Sequence, residues 1–396
     1  EMVIRDWSSD VCSSDLIFPK KLNFNQIFVN ILHIQMAKKC CDIIKKEDGG
    51  QGEPRFPLSL DQFYNVKKHT KDVFFIDWSQ EPFTAVWLSE KPKQLTFEST
   101  VKWKDVNYQV NVCCKGDIAH IQRQYSDTDE MGIQANNSPL FKSLLQKCIR
   151  RQLTPLSLKV AKHLINIDID SFLRRLFVIM LEDVCLHPCA TALIWLTSAV
   201  TKGYHITNNQ VSWLMGLTSH LCQENTKFYW WTERSTNMNM SSFIKKINES
   251  TIDSPYKDIL YSMCFRMSYG GMKPDIDMFW YYIDRWFSLF TTGQTLHYQV
   301  FNSIPLDLIK SLTRDELLSI YYGADFHCFP QILSYLSKKF PRLTRDDIKF
   351  CIWENSSKTN SRCENDVDPQ VLDMWRLIES DVVGMQKYLI LNNHDH

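Results

Sequence analysis

Glycine and proline are scarce in this sequence, at 12 and 14 of 396 residues, and neither charge is in excess: 45 Lys and Arg stand against 45 Asp and Glu. The first shortage excludes collagen-like and low-complexity chains. With 44% hydrophobic and 23% charged residues, intrinsic disorder and coiled coil are excluded as well. The balanced charge excludes a wholly basic nucleic-acid coat, without bearing on local patches. No apolar run approaches the roughly 20 residues that span a bilayer. The longest runs, such as Cys189 to Val200, are short and broken by Thr and Ser, so no membrane partner is expected.

Phosphate-binding loops are missing too. A P-loop uses glycines whose backbone N–H groups cradle phosphate, followed by Lys and Ser or Thr. Here Gly49-Gly50-Gln51-Gly52 runs into Glu53-Pro54, and no G-x-G-x-x-G joins a strand to a helix. Ser268 to Asp275, with Gly270, Gly271 and Lys273, reads as a helix-to-helix turn rather than a ligand loop. No cofactor is expected.

Thirteen cysteines could suggest a disulfide framework, but the count is odd, the chain is long, and Cys40-Cys41 and Cys113-Cys114 are adjacent pairs. A secretory signal is not evident, so the expected setting is reduced and intracellular, in cytoplasm or nucleus. Glu1 to Leu16 has the look of a translated sequencing adapter, and Met36 opens a plausible start. Residues 1–35 are therefore expected to be a non-native leader; without them 361 residues and twelve cysteines remain. The competing expectation is that Ile27 to Ile34 forms an apolar helix.

What is present divides the chain. Residues 36–71 are expected to hold a helix and a flexible link where Gly49, Gly50, Gly52, Pro54 and Pro57 cluster. Residues 72–116 read as a β-rich module of three to five strands, from Asp72–Trp78, Thr84–Ser89, Gln94–Trp103 and Asn107–Cys113, all rich in Val, Phe, Trp, Tyr and Thr. A turn is expected at Lys104-Asp105. Residues 117–138 are polar and read as a linker. From Pro139 nearly every segment reads as helix, split into a helical domain over 139–225 and a C-terminal helical domain over 226–396. Ser254-Pro255 and Asp368-Pro369 look like helix starts, and Thr313 with Glu316 and Thr344 with Asp347 like capping boxes. Val160, Ala161, Leu164 and Ile165 form one apolar stripe; Phe172, Leu173, Leu176, Phe177, Met180 and Val184 form another. Ala190 to Val200 is apolar nearly all round and predicts a buried central helix. No fixed period recurs, so the fold class is mainly α with a small β-rich N-terminal module (α+β), an irregular multi-helix array rather than a solenoid.

Two segments invite a chemical reading. Cys185-Leu186-His187-Pro188-Cys189, with His220 and Cys222 downstream, offers zinc ligands, but their alternation around a proline is not a usual knuckle. The bland alternative is buried cysteine acting as a small hydrophobe at a helix end. Asp325-Phe326-His327-Cys328 could seed a Cys/His enzyme, which needs a spatial adjacency that chain order does not supply; otherwise it is a helix start with a packed or capping histidine. No catalytic or metal residue is assigned. Of the aromatic runs, Phe279 to Tyr282 with Trp286 and Phe287 reads as core, while Phe228 to Trp231, flanked by Lys227 and Arg234, could stack bases or meet a protein.

The most informative stretch is Lys142 to Arg175. It carries Lys142, Lys147, Arg150, Arg151, Lys159, Lys162, Arg174 and Arg175 against only Asp168 and Asp170, a local +6. Lys147, Arg150 and Arg151 share one helical face, as do Lys159 and Lys162. Such faces can bind nucleic-acid phosphate by counterion release; the alternative is a solvated helix surface. For Arg174 and Arg175 a structural role competes, because Glu182 and Asp183 follow two turns on and could pair with them or with a neighbouring helix.

Within Ser157 to Pro188, Ala161, Leu164, Asp170, Arg174-Arg175-Leu176 and Glu182-Asp183-Val184 follow in an order and spacing that resembles the helical C-terminal region of the replication-associated recombination ATPases, the MgsA/RarA type and the Werner-helicase-interacting proteins, which are relatives of clamp loaders. The resemblance covers about 142–222. Ser171 stands at the family's turn proline, and a β-rich module takes the place of the ATPase. What it implies is a clamp-loader-like, oligomerising or DNA-associated domain without the motor. The expectation is a non-enzymatic DNA replication or repair protein that binds nucleic-acid phosphate through Lys147, Arg150, Arg151, Lys159, Lys162, Arg174 and Arg175, with DNA, replication or repair proteins, or further copies of itself as partners. The alternatives are a protein-interaction or structural module, of viral type among others, without nucleic acid, and a Cys/His enzyme or zinc protein.

Overall fold

Alternating β-branched and aromatic residues make four short strands: β1 (Val73–Asp77), β2 (Ala85–Leu88), β3 (Phe97–Trp103) and β4 (Tyr108–Lys115). The computed structural model describes residues 71–106, 108–116, 138–226, 239–268, 273–312, 323–363 and 367–392. The strands form one mixed sheet in the order β2-β1-β4-β3. β1 is antiparallel to β2 and parallel to β4, and β3 is antiparallel to β4. A 3-10 turn at Lys104–Val106 joins β3 to β4, where the sequence predicted a turn.

Twelve α-helices follow among the described residues: α1 (Ser138–Arg150), α2 (Thr154–Ile167), α3 (Ile169–Asp183), α4 (Ala190–Val200), α5 (Asn208–Gln223), α6 (Met240–Glu249), α7 (Ser254–Met267), α8 (Lys273–Thr291), α9 (Leu306–Ser311), α10 (Gln331–Lys339), α11 (Arg345–Ile352) and α12 (Pro369–Asn392). The protein is mainly α with a small β module, as its composition and periodicity predict. Both predicted apolar stripes are buried, in α2 and α3. α4 is buried from Ala190 to Ala199 and packs against the sheet. Its Trp195 Nε1 donates to the carbonyl oxygens of Phe74 and Cys113, both at 3.1 Å, and its Thr191 Oγ1 accepts from Ala85 N at 2.9 Å. These bonds satisfy a buried indole and tie helix to strands. α7 closes the same core, with Trp87 Nε1 donating to Ser262 Oγ at 3.0 Å and Phe265 packed edge-on against Trp87.

Helix starts follow their capping chemistry. Thr344 and Asp347 form the expected reciprocal box at α11, and Asp368 Oδ1 accepts from Gln370 N at the start of α12. At α7 the expected Ser254 cap is not formed: Ser254 and Pro255 lie inside the first turn, and Asp253 holds the cap position without a side-chain capping bond. The pairing of Thr313 with Glu316 lies outside the described residues, as do residues 1–70, the turn at 269–272 and the aromatic run Phe228 to Trp231.

One hydrophobic cluster runs from Phe74 in β1 through the helices to Ile390 in α12, so the stretches 72–116, 139–225 and 226–396 share a core. Phe279, Trp286 and Phe287 of α8 are buried in it, whereas Trp280, Tyr281 and Tyr282 of the same aromatic run are half-buried at its edge. A strap, residues 294–305, crosses α5. At Gly216 of α5 an added Cβ would meet Asn302 O at 2.4 Å, and Ile304 N donates to Ser212 O at 3.0 Å. All ten cysteines of the described residues are free thiols. No helix among the described residues is long and apolar enough to cross a membrane.

Candidate functional site

Along α1 the polar residues Lys142, Ser143, Gln146, Lys147 and Arg150 recur at three-to-four spacing and form one stripe on a helix whose other faces are apolar. That stripe does not face solvent. It forms one wall of a small cleft, about 50 Å³ in volume, which also takes Arg175 from α3, Asp325, His327 and Cys328 from the segment before α10, and Ser357 from the turn after α11. The lining thus gathers four cations around one carboxylate.

Asp325 organises the cleft. Its side chain is 2% exposed, and Oδ2 accepts from Lys147 Nζ at 2.6 Å and from Ser357 Oγ at 2.7 Å. Oδ1 accepts from His327 N at 2.9 Å and lies 3.1 Å from His327 Nδ1. Burial alone would raise the pKa of this carboxyl, but Lys147 and His327 outweigh it and hold the group well below the usual carboxylate range. Lys147 is also held by Ser143 Oγ at 3.0 Å and Gly323 O at 3.4 Å. Gly323 brings the Asp325 segment against α1: an added Cβ would lie 2.9 Å from Leu144 Cβ and 3.0 Å from its Cα. Gly323→Val is therefore expected to push Asp325 away from Lys147. Urea unfolding should show a loss of at least roughly 2 kcal/mol, the scale of core overpacking with a weakened polar network; a loss under half of that would contradict the placement.

A second charged group backs the cleft. Arg150 Nε pairs with Asp183 Oδ1, Nη2 reaches Glu182 at 3.4 Å, and Nη1 donates to Ser357 O at 2.7 Å. Gln146 Nε2 donates to Asp183 Oδ2 and Glu182 Oε2. Ser357 closes a π-helical turn, Trp353–Ser357, which presents carbonyls to α1; Arg151 Nη2 takes that of Ser356 at 2.8 Å. Just beyond, Arg362 clamps two helix ends. Its guanidinium donates to Ile149 O (2.9 Å) and Arg150 O (3.4 Å) of α1, to Leu221 O (2.6 Å) and Cys222 O (3.0 Å) of α5, and to Glu224 O. The last carbonyls of a helix have no partner within it and carry its negative pole, so the half-buried Arg362 cation is doubly favoured there.

The seven basic residues singled out in the sequence are thereby divided. Lys147, Arg150 and Arg175 line the cleft, and Arg151 caps the turn beside it. The exposed face expected of Lys147 and Arg150 is not formed: they are 3% and 6% exposed, because Asp325 and Asp183 neutralise them inside the fold. On α2, Lys159 is half-buried and Lys162 donates to Lys310 O and Leu312 O at the end of α9. Arg174 pairs with Asp170 at 2.7 Å, and Arg175 donates to Gln146 Oε1 at 3.2 Å, while Glu182 and Asp183 are engaged from the neighbouring helix α1.

The Cys/His segments behave differently. His187 Nδ1 is 2.9 Å from Cys189 Sγ and 3.1 Å from Cys189 N, and the His187 ring stands 5.3 Å from that of His220. Cys222 Sγ instead donates to Ser157 Oγ at 2.9 Å. Burial lowers His187 to about 4 and raises Cys185 to about 12, so His187 is neutral and Cys185 a thiol at pH 7. Among the described residues no three His, Cys, Asp or Glu side chains converge as metal ligands. In the cleft, burial pushes the Cys328 thiol up to about 12, and its hydrogen goes to backbone carbonyls of Pro139 and Gly323. A protonated thiol is a poor nucleophile.

The sequence marks Asp325 only as part of a Cys/His segment, and Ser357 and Arg362 not at all. The local signal for Asp325 was its side chain turning back on its own chain two residues on, an Asx turn readable in Asp-Phe-His; nothing local marks Ser357 or Arg362, whose partners lie 32 to 213 residues away. No family model, curated protein or solved structure matches the chain.

Proposed function

We propose that this is a non-enzymatic helical protein of the DNA replication or repair type, which binds nucleic-acid phosphate at the cleft between α1, α3 and the Asp325 segment. The observation that carries this reading is the convergence of Lys142, Lys147, Arg150 and Arg175 on one cleft in a chain of zero net charge. Asp325 pairs with Lys147, and Asp183 and Glu182 pair with Arg150. Lys147 and Arg150 hold their charge in fixed positions, and Lys142 and Arg175 line the same cleft. The raised Cys328 thiol favours binding over nucleophilic catalysis. The resemblance of residues 142–222 to the clamp-loader relatives adds the biological setting and the prospect of self-association.

The test is fluorescence anisotropy with labelled single- and double-stranded DNA. The parent protein should bind with an affinity that falls steeply between 50 and 200 mM salt. Lys142→Ala with Arg175→Ala should weaken binding roughly tenfold or more across sequences and flatten the salt dependence, with the melting temperature monitored alongside. Absence of binding to either form at low salt would dispose of the reading and favour a protein-interaction module.

A further inference from the structure

We infer that the solvent face of α12 joins a second copy of this chain in an antiparallel, two-fold helix pair centred on Ser380. The inference stands apart from phosphate binding and gives self-association a surface. Its first ground is exposed apolar area. Leu377 and Tyr388 of α12 are 56% and 58% exposed and Tyr335 of α10 is 37% exposed, three of the seven large apolar side chains that the described residues leave in solvent. They form one patch: Leu377, Asp381, Gly384 and Tyr388 follow at helical spacing along α12, and the Tyr335 hydroxyl donates to Asp381 Oδ1 at 3.2 Å. The opposite face of α12, with Val371, Ile378, Val382 and Leu389, is the one buried in the core. The second ground is Gly384. After proline, glycine is the least favoured residue of a helix interior, and an added Cβ at Gly384 would meet nothing within 4 Å among the described residues. No neighbour there requires the missing side chain, whereas a second helix lying close against the backbone does.

The third ground is charge, and it selects the occupant. Asp373 and Lys387 are exposed, share this face, and lie seven residues before and seven after Ser380. A two-fold axis at Ser380 reverses the second helix, so positions equally far before and after it meet. Each Asp373 then stands beside Lys387 of the second copy, twice over by symmetry, and each Leu377 lies over the gap at Gly384. A parallel pair would instead set like charges side by side. Within its own chain Asp373 pairs with Arg376 at 2.9 Å, but both are more than two-thirds exposed, and such a pair exchanges at little cost. The size of the face sets the strength. α12 has 24 residues, so it is about 36 Å long, and one face of it with Tyr335 presents about 400 Å², half of a standard partner surface. The dimer is therefore weak and concentration-dependent.

Sedimentation equilibrium of the full chain, from about 1 to about 200 μM, tests this. The parent should pass from monomer to dimer within that range. Leu377→Asp should weaken the dimer at least about tenfold. Gly384→Leu should do the same while raising the melting temperature of the dilute protein, because leucine is the better helix former; a variant that merely misfolds would lower both. Asp373→Lys and Lys387→Asp should each weaken the dimer about fivefold, and the two together should restore it to within about twofold of the parent. A parent that stays monomeric throughout overturns the inference, as does a dimer indifferent to Leu377→Asp and Gly384→Leu. Failure of the double charge reversal to restore the dimer overturns the two-fold arrangement at Ser380. No DNA is present, so a failed dimer does not touch the phosphate-binding reading.

Discussion

Asp325→Ala should destabilise the protein by roughly 3–5 kcal/mol, the cost of removing one member of a buried ion pair and leaving the other uncompensated. Lys147 is 3% exposed and holds Asp325 at 2.6 Å, so removing the carboxylate leaves a buried ammonium without its counter-charge. The variant also strands Ser357 Oγ and the His327 amide. Urea unfolding measures the loss. Because a buried pair contributes less than its deletion costs, the double replacement Lys147→Met with Asp325→Leu should recover a large share of it. A single-variant loss below about 1 kcal/mol, the range of exposed pairs, would show that Lys147 escapes to solvent and that the cleft is not built as described. The pH dependence has a definite sign. The folded-state value of Asp325 lies below its unfolded value of about 3.9, so its contribution is complete above that value and disappears as pH falls through the lower folded one. The gap between the parent and Asp325→Asn should hold from pH 7 down to about pH 4 and narrow only in stronger acid.

Arg362→Ala is the second large effect. One guanidinium satisfies the terminal carbonyls of α1 and α5 together with Glu224 O. Hydrogen bonds from a charged donor contribute about 1.5–3 kcal/mol each, and a stranded buried acceptor costs a similar amount. Since the bonds are coupled, a total near 4 kcal/mol is expected. Arg362→Lys should recover less than half, because an ammonium is a compact charge that cannot fork across two helix ends. Amide hydrogen exchange gives the local readout: protection should fall first in the last turns of α1 and α5 and in the Trp353–Ser357 turn. A uniform loss across the sheet and α4 would mean that Arg362 acts through global stability instead.

These two residues also show where local pattern stops being informative. The helical stripes of α2 and α3, the buried α4 and the caps of α11 and α12 were legible because each is set within one or two turns by 3.6-residue periodicity or by a side chain reaching three residues along. The four strands were legible for the same reason, through alternation and turn residues. The basic stretch was legible as composition, a local +6 between Lys142 and Arg175. Whether those charges faced water or each other was not, because Asp325 lies 178 residues from Lys147 and Arg362 lies 213 from Ile149.

Sequence alone therefore determined the class of the fold, the elements whose apolar faces demand a core, and the concentration of cationic side chains on α1 to α3. Tertiary structure decided their use. Docking of the Asp325 segment, permitted by the missing side chain of Gly323 against Leu144, and docking of the Trp353 to Arg362 segment onto the ends of α1 and α5 turned a helical stripe from a surface into the wall of a cleft. The physical reason is that a helix's apolar periodicity is a property of neighbours in sequence, whereas the neutralisation of a buried charge depends on which distant carboxylate the fold brings to it.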